Sequence, residues 1–199
     1  MTYKDVVNMY SKKGYIFRTE KMRLNLGAIR SKDSKSNKFD DLGFLAWIDE
    51  NNQEQLLYYW VTTDPGKSYL LAPMKRDGCI ITVPGQYLEV FAIGLHNGKY
   101  QCFKQVGKMA YVRDNNKDEI LDFSLYKDPE KAKTNIFWDI CNTNYHRAHE
   151  FKIVEYVFNY SAGCTVVKNP ETYKKLIELQ NKSSKFGFQR FDYTLFEEQ

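Results

Sequence analysis

The sequence predicts a mainly β fold of the α+β kind, a sandwich or barrel with short peripheral helices. Three observations carry that expectation. Aromatic residues make up 16% of the 199, with 15 Tyr and 13 Phe spread among Val, Ile and Thr, types that suit a pleated, half-buried surface. From 62 to 123, short apolar runs alternate with DPG, RDG, PGQ, HNGK and VGK turns, the punctuation of a compact, mostly antiparallel sheet or barrel. Helical periodicity with end signals stands out in only two places.

The first is the opening stretch, where Val6, Val7 and Tyr10 follow a polar start and Gly14 closes the run, so residues 1–14 read as a helix capping the domain. Next come two extended stretches, "FRTEKMRLNLGAIRS" and "LGFLAWIDENNQEQLLYYWVTT". The second has a turn-forming DENNQE cluster between apolar runs and reads as a hairpin. The tract at 30–38, "RSKDSKSNK", is a solvated loop. Residues 126–143 are polar and less regular. In "EFKIVEYVFNY", Val154, Tyr156, Phe158 and Tyr160 share one alternating face, which predicts a strand running into Ser161. "NPETYKKLIELQNK" is the second helix, with Asn169 as cap, Pro170 at the first position and Tyr173, Leu176 and Ile177 on one face. "FGFQRFDYTLF" closes the chain as a strand. We read residues 1–199 as a single domain, with 180–199 as a C-terminal strand extension.

Net charge is +4, from 29 basic and 25 acidic residues. That excess gives no ground for a nucleic-acid partner and leaves a mild attraction to an anionic polymer such as cell wall. No run reaches the roughly 18 apolar residues of a membrane span, and the N-terminus lacks the apolar core of a signal peptide. Synthesis in the cytoplasm without export is therefore expected. Cys79, Cys102, Cys141 and Cys164 lie far apart and read as reduced thiols.

The chemistry concentrates in "NYSAGCTVV", residues 159–167. A strand ending in Ser-Ala-Gly-Cys would display a thiol at a tight turn, where small Ala162 and Gly163 let another main chain approach. Turn amides can serve an oxyanion, and a nucleophilic thiolate needs a base or a positive charge beside it. Of the three histidines, His146 in "NTNYHRAH" lies 18 positions before Cys164, and the two meet if the intervening segment folds back.

"HRA" followed by a strand-sized interval and "SAGC" resembles the catalytic motif of YkuD-type L,D-transpeptidases. "TTDPG", "PGQY", "GLHNGKY" and "RDNNKDEILDF" also look like the upstream part of a phage and prophage branch of that family. The resemblance covers 58–179. It implies an L,D-transpeptidase-like β fold, a peptidoglycan or muropeptide substrate and no cofactor. It further implies that Cys164 attacks a stem-peptide carbonyl while His146 takes the proton and returns it to the leaving amine. Ser161 would orient the imidazole or line the pocket, and the Gly163 and Cys164 amides would hold the oxyanion. The family turn continues with an arginine for the substrate carboxylate, whereas Thr165, Val166 and Val167 follow here. Arg147, standing where the family has glycine, is the residue expected to bind substrate in its place, and His96 is expected to border the cleft. An enzyme of this kind predicts a low-pKa thiol at Cys164. Lacking a leader, it would reach the wall after phage lysis or as part of a virion. Rival readings are a non-catalytic wall-binding or virion structural protein and a peptidase of cytoplasmic peptides.

Two metal readings are weaker. Asp114, Asn116, Asp118 and Asp122 have the 1, 3, 5 and 9 spacing of a calcium loop, but Glu119 stands where that loop needs glycine and Leu125 where it needs a carboxylate. A solvated turn is the better reading. Cys141, His146, His149 and Cys164 lack the paired spacing of a zinc site.

Overall fold

A computed structural model describes residues 1–198. In chain order the elements are α1 (Tyr3–Lys13), β1 (Asn25–Arg30), β2 (Asp41–Ile48), β3 (Glu54–Thr62), α2 (Lys67–Leu71), β4 (Cys79–Thr82), β5 (Gly85–His96), β6 (Tyr100–Gln105), β7 (Met109–Asp114), α3 (Ser124–Lys127), α4 (Pro129–Asn135), β8 (Phe137–Asp139), β9 (Tyr145–Arg147), β10 (Thr165–Val167), α5 (Pro170–Lys185) and β11 (Arg190–Glu197). Eight strands close a barrel in the order β1-β11-β5-β6-β9-β10-β3-β2, and β4, β7 and β8 form a separate three-stranded sheet. The mainly β, α+β expectation holds.

The end signals act as the sequence implies. Thr2 and Asp5 form a reciprocal capping box at the start of α1, and Gly14 ends it at φ 65°. Asn169 caps α5 ahead of Pro170. The Val6–Tyr10 face of α1 packs on Phe44, Ala46 and Phe196, outside the barrel, whose interior holds Leu24, Leu26, Leu45, Phe91, Phe103 and Tyr193 among others. β11 lies between β1, its parallel neighbour, and β5, its antiparallel one. The expected C-terminal extension is thus an inner barrel strand, because its apolar residues fill the core. No helix among the described residues is long and apolar enough to cross a membrane.

The expected strand over 151–160 does not form: the segment is a run of bends and turns. Both edges of β10 are already taken, by β3 on one side and β9 on the other. The backbone of 157–158 bonds instead to Asn37, and Tyr156 and Phe158 are exposed. Alternation of apolar residues produces a strand only where a ladder partner is free.

One buried charge braces the site from below. Arg30 is 0% exposed and pairs with Asp64 at 3.0 Å. It also donates to the Thr82 and Thr63 carbonyls at 2.8 and 3.3 Å. The 63–66 turn held this way passes a hydrogen bond onward, from Gly66 N–H to the Ser161 carbonyl at 2.9 Å. Arg30→Ala leaves a buried carboxylate unpaired and is expected to cost about 3–5 kcal/mol. Denaturant unfolding checks this, and an Arg30→Met, Asp64→Leu double variant should recover most of the loss.

Candidate active site

β9 and β10 run parallel and adjacent, with His146 opposite Val166 and Tyr145 opposite Thr165. Cys164 immediately precedes β10, so the ladder brings it beside the His146 strand. The Thr165 N–H to Asn144 carbonyl bond, 3.1 Å, locks the entry to that pairing. Approach of the two strands occurs as the motif implies, although the segment between them is a loop.

The turn before Cys164 is closed by Ser161. Its hydroxyl donates to the Cys164 carbonyl at 2.8 Å and accepts the Gly163 N–H at 3.1 Å. Ser161 is buried and makes no bond to the imidazole, so its expected role at the histidine is corrected: it shapes the turn. The same bond occupies the Gly163 amide, which removes it from the expected oxyanion pair. The Cys164 N–H makes no hydrogen bond to the described residues and is the donor the turn leaves free. Gly163 adopts φ +126°, and a Cβ there would sit 2.5 Å from the Ile80 carbonyl oxygen. Gly163→Ala is therefore expected to cost about 2–5 kcal/mol through backbone strain and overpacking and to displace the thiol. Loss of activity together with a lowered Tm, with Ser161→Ala milder in both, is the expected pattern.

Cys164 and His146 face one cavity of about 320 Å³, which His96, Lys75 and Arg113 also line and which no Asp or Glu among the described residues lines. His146 Nδ1 lies 2.8 Å from the Arg147 carbonyl. A carbonyl only accepts, so Nδ1 carries the proton and Nε2 holds a lone pair. Nε2 is buried and has no hydrogen-bond partner among the described residues. Tyr100 supports the ring, its hydroxyl 3.1 Å from Nδ1.

Burial, and then the neighbouring His96, push the His146 pKa down to about 3. Burial pushes the Cys164 thiol up to about 11, with the Asn144 N–H the one opposing influence. The expected low-pKa thiol is corrected: at neutral pH both groups are uncharged, because no cation pairs with the sulfur. Its polar neighbour is the Asn142 carbonyl, 3.6 Å from Sγ.

No protein-family model matches the chain, and neither a curated protein nor a solved structure matches it. The chemistry of this site is therefore argued from its own atoms.

Arg147 does not take the place of the missing arginine. Adjacent residues of a strand point to opposite faces, so with His146 turned to the cavity Arg147 turns away; its guanidinium lies 4.2 Å over the Tyr100 ring and 3.2 Å from Glu150. The cavity cations are Lys75 and Arg113, which the sequence reading missed because both lie far from the motif. Arg113 is fixed by Asp77 at 2.8 Å and the Gly78 carbonyl at 2.9 Å. Asn144 was missed too, although its spacing of two from His146 places both on one strand face.

The calcium candidates do not converge. Asp114, Asn116, Asp118 and Asp122 each accept backbone N–H groups of their own loop, as a solvated turn requires. His149 accepts backbone N–H groups of Phe151 and Lys152, apart from the cavity. Among the described residues no group of three or more His, Cys, Asp or Glu side chains is arranged to hold a metal.

Proposed function

We propose that this protein cuts or exchanges an amide bond of peptidoglycan stem peptides, by an L,D-transpeptidase-like acyl-enzyme mechanism with Cys164 as nucleophile and His146 as base. The observation that carries the proposal is the His146 Nε2 lone pair, buried and unpartnered among the described residues, on a side chain that lines the same cavity as Cys164. An unsatisfied buried acceptor is costly, and such groups gather where chemistry uses them. In the reaction Sγ bonds to the substrate carbonyl carbon as its proton passes to Nε2. The oxyanion then takes the Cys164 N–H. Collapse breaks the C–N bond, Nε2–H returns the proton to the leaving amine, and a thioester remains. Water or a second amine releases it, giving hydrolysis or a crosslink. Lys75 and Arg113 on the cavity wall suit a substrate that carries carboxylates, as stem peptides do.

The neutral, high-pKa thiol favours one rival, a wall-binding or virion structural protein that retains the fold without the chemistry. Purified sacculi and defined muropeptides, incubated with the wild type and with Cys164→Ala and followed by mass spectrometry, separate the two. New fragments or crosslinks from the wild type alone support the enzyme. Sedimentation with sacculi that survives Cys164→Ala and His146→Ala, with no product from any stem peptide, supports the binding protein.

A further inference from the structure

His96 ends β5, and its ring lies on the His146 ring with centroids 3.8 Å apart and planes 23° apart. The hydrogen bonds around it fix its protonation. Asn144 Oδ1 accepts the Gln105 backbone N–H at 2.9 Å, so the Asn144 amide must present its NH₂ to His96 Nδ1, 3.3 Å away. Nδ1 of His96 is then an acceptor, so the proton of the neutral ring sits on Nε2, and the exposed Asn97 amide, whose Nδ2 stands 3.1 Å from Nε2, must turn over for its oxygen to accept that proton. His146 has the opposite tautomer, with the proton on Nδ1. The pair is two neutral rings, one held by an Asn donor and the other by a backbone carbonyl.

In the familiar arrangement a carboxylate orients a catalytic histidine and favours its charged form. No Asp or Glu among the described residues lines this cavity. We infer that His96, held by Asn144, is the positioning residue of the His146 base: it fixes the ring plane so that Nε2 faces the cavity, and it disfavours a resting proton there. The inference rests on reading His146 as the base of Cys164.

The groups facing the pair agree with this. Lys99 stands on the His96 hairpin and, with burial, lowers the His96 pKa. Tyr100 lies 5.5 Å from the His96 ring centroid, with the Arg147 guanidinium over the tyrosine. Across the cavity stand Cys164, neutral at rest, the further thiols Cys79 and Cys141, the phenols Tyr69 and Tyr160, and the cations Lys75 and Arg113. Lys99 stands beside His96 and Lys75 and Arg113 line the cavity, with no carboxylate on its wall among the described residues, so a proton on either ring adds to positive charge already present. Protonating His96 Nδ1 would also set its proton against the Asn144 NH₂.

The test is ¹⁵N NMR of the full chain labelled at histidine, with titration from pH 3 to 8. The expected spectrum shows His146 protonated on Nδ1 and His96 on Nε2, with His146 staying neutral down to pH 5 and His96 taking up its proton below the ordinary histidine range. His96→Ala should raise the His146 midpoint by a unit or more, about tenfold in proton affinity, and His96→Phe, which restores a stacked ring, should return most of that shift. Asn144→Asp should move the His96 proton to Nδ1, and it keeps the question answerable if His96→Ala fails to fold. A wild-type His96 protonated on Nδ1, a His146 midpoint unchanged in His96→Ala, or no rescue by His96→Phe overturns the inference. Because these readings come from the resting protein, they stand apart from the muropeptide assay: the tautomers can be right while the substrate is wrong, and the reverse.

Discussion

Replacing Cys164 with alanine is expected to abolish amide cleavage and exchange, a loss on the order of 10⁴-fold or more, since no thioester can form without the sulfur. The other three cysteines do not substitute for it. Cys79 is buried and donates its thiol to the Tyr69 carbonyl at 2.9 Å, and Cys102 is buried and does not line the cavity. Cys141 shares the cavity wall, but its backbone is fixed by the Gln105 side chain and it lies outside the 161–164 turn that supplies the free Cys164 N–H. Cys164→Ala removes one half-buried sulfur atom and should change unfolding free energy by no more than about 1–2 kcal/mol. Product analysis and a Tm measured together check both halves: lost activity with a retained Tm is the expected pair.

His146→Gln should lower kcat by about 10²–10⁴-fold, because an amide fills the ring's place and accepts a hydrogen bond but cannot carry the proton from thiol to leaving amine. The same residue gives the protein an acid signature. The unfolded chain takes up the His146 proton near the ordinary 6.5, whereas the folded protein refuses it until about 3. Between those values the unfolded state binds more protons, so the contribution to stability is complete above about pH 6.5 and is lost as pH falls towards 3. The slope reaches about 1.4 kcal/mol per pH unit. Wild-type Tm should therefore fall more steeply on acidification than that of His146→Gln. Parallel Tm curves from pH 7 to 4 would contradict the neutral buried imidazole.

What was legible in the sequence was local. Thr2, Asp5 and Gly14 bound α1, Asn169 and Pro170 start α5, and DENNQE turns β2 into β3, because caps and turns act over a few residues. The Ser-Ala-Gly-Cys turn was legible for the same reason: Gly163 is required by its positive φ and by the Ile80 backbone against it. The interval between His146 and Cys164 allowed the two to meet, while the parallel pairing of β9 with β10 that brings them together was not legible. What the sequence hid depends on which strand edges are free and which wall a distant residue joins. The alternation in 151–160 promised a strand, yet β10 had no edge left for it. Arg147 stands next to His146 in sequence and faces away from it in the strand. Arg113 reaches the cavity from β7, and no spacing near Cys164 announces it; His96, expected at the cleft from the resemblance alone, reaches it from the end of β5.

The central claim is that Cys164 carries the substrate as a thioester. The measurement that tests it most directly is intact-protein and peptide-level mass spectrometry after a short exposure to a defined muropeptide, quenched in acid. The mechanism predicts a mass gain equal to the acyl fragment, located on the peptide that contains Cys164, removed by hydroxylamine and absent from Cys164→Ala. Product formed with no adduct on Cys164, or an adduct on another residue, would contradict the account.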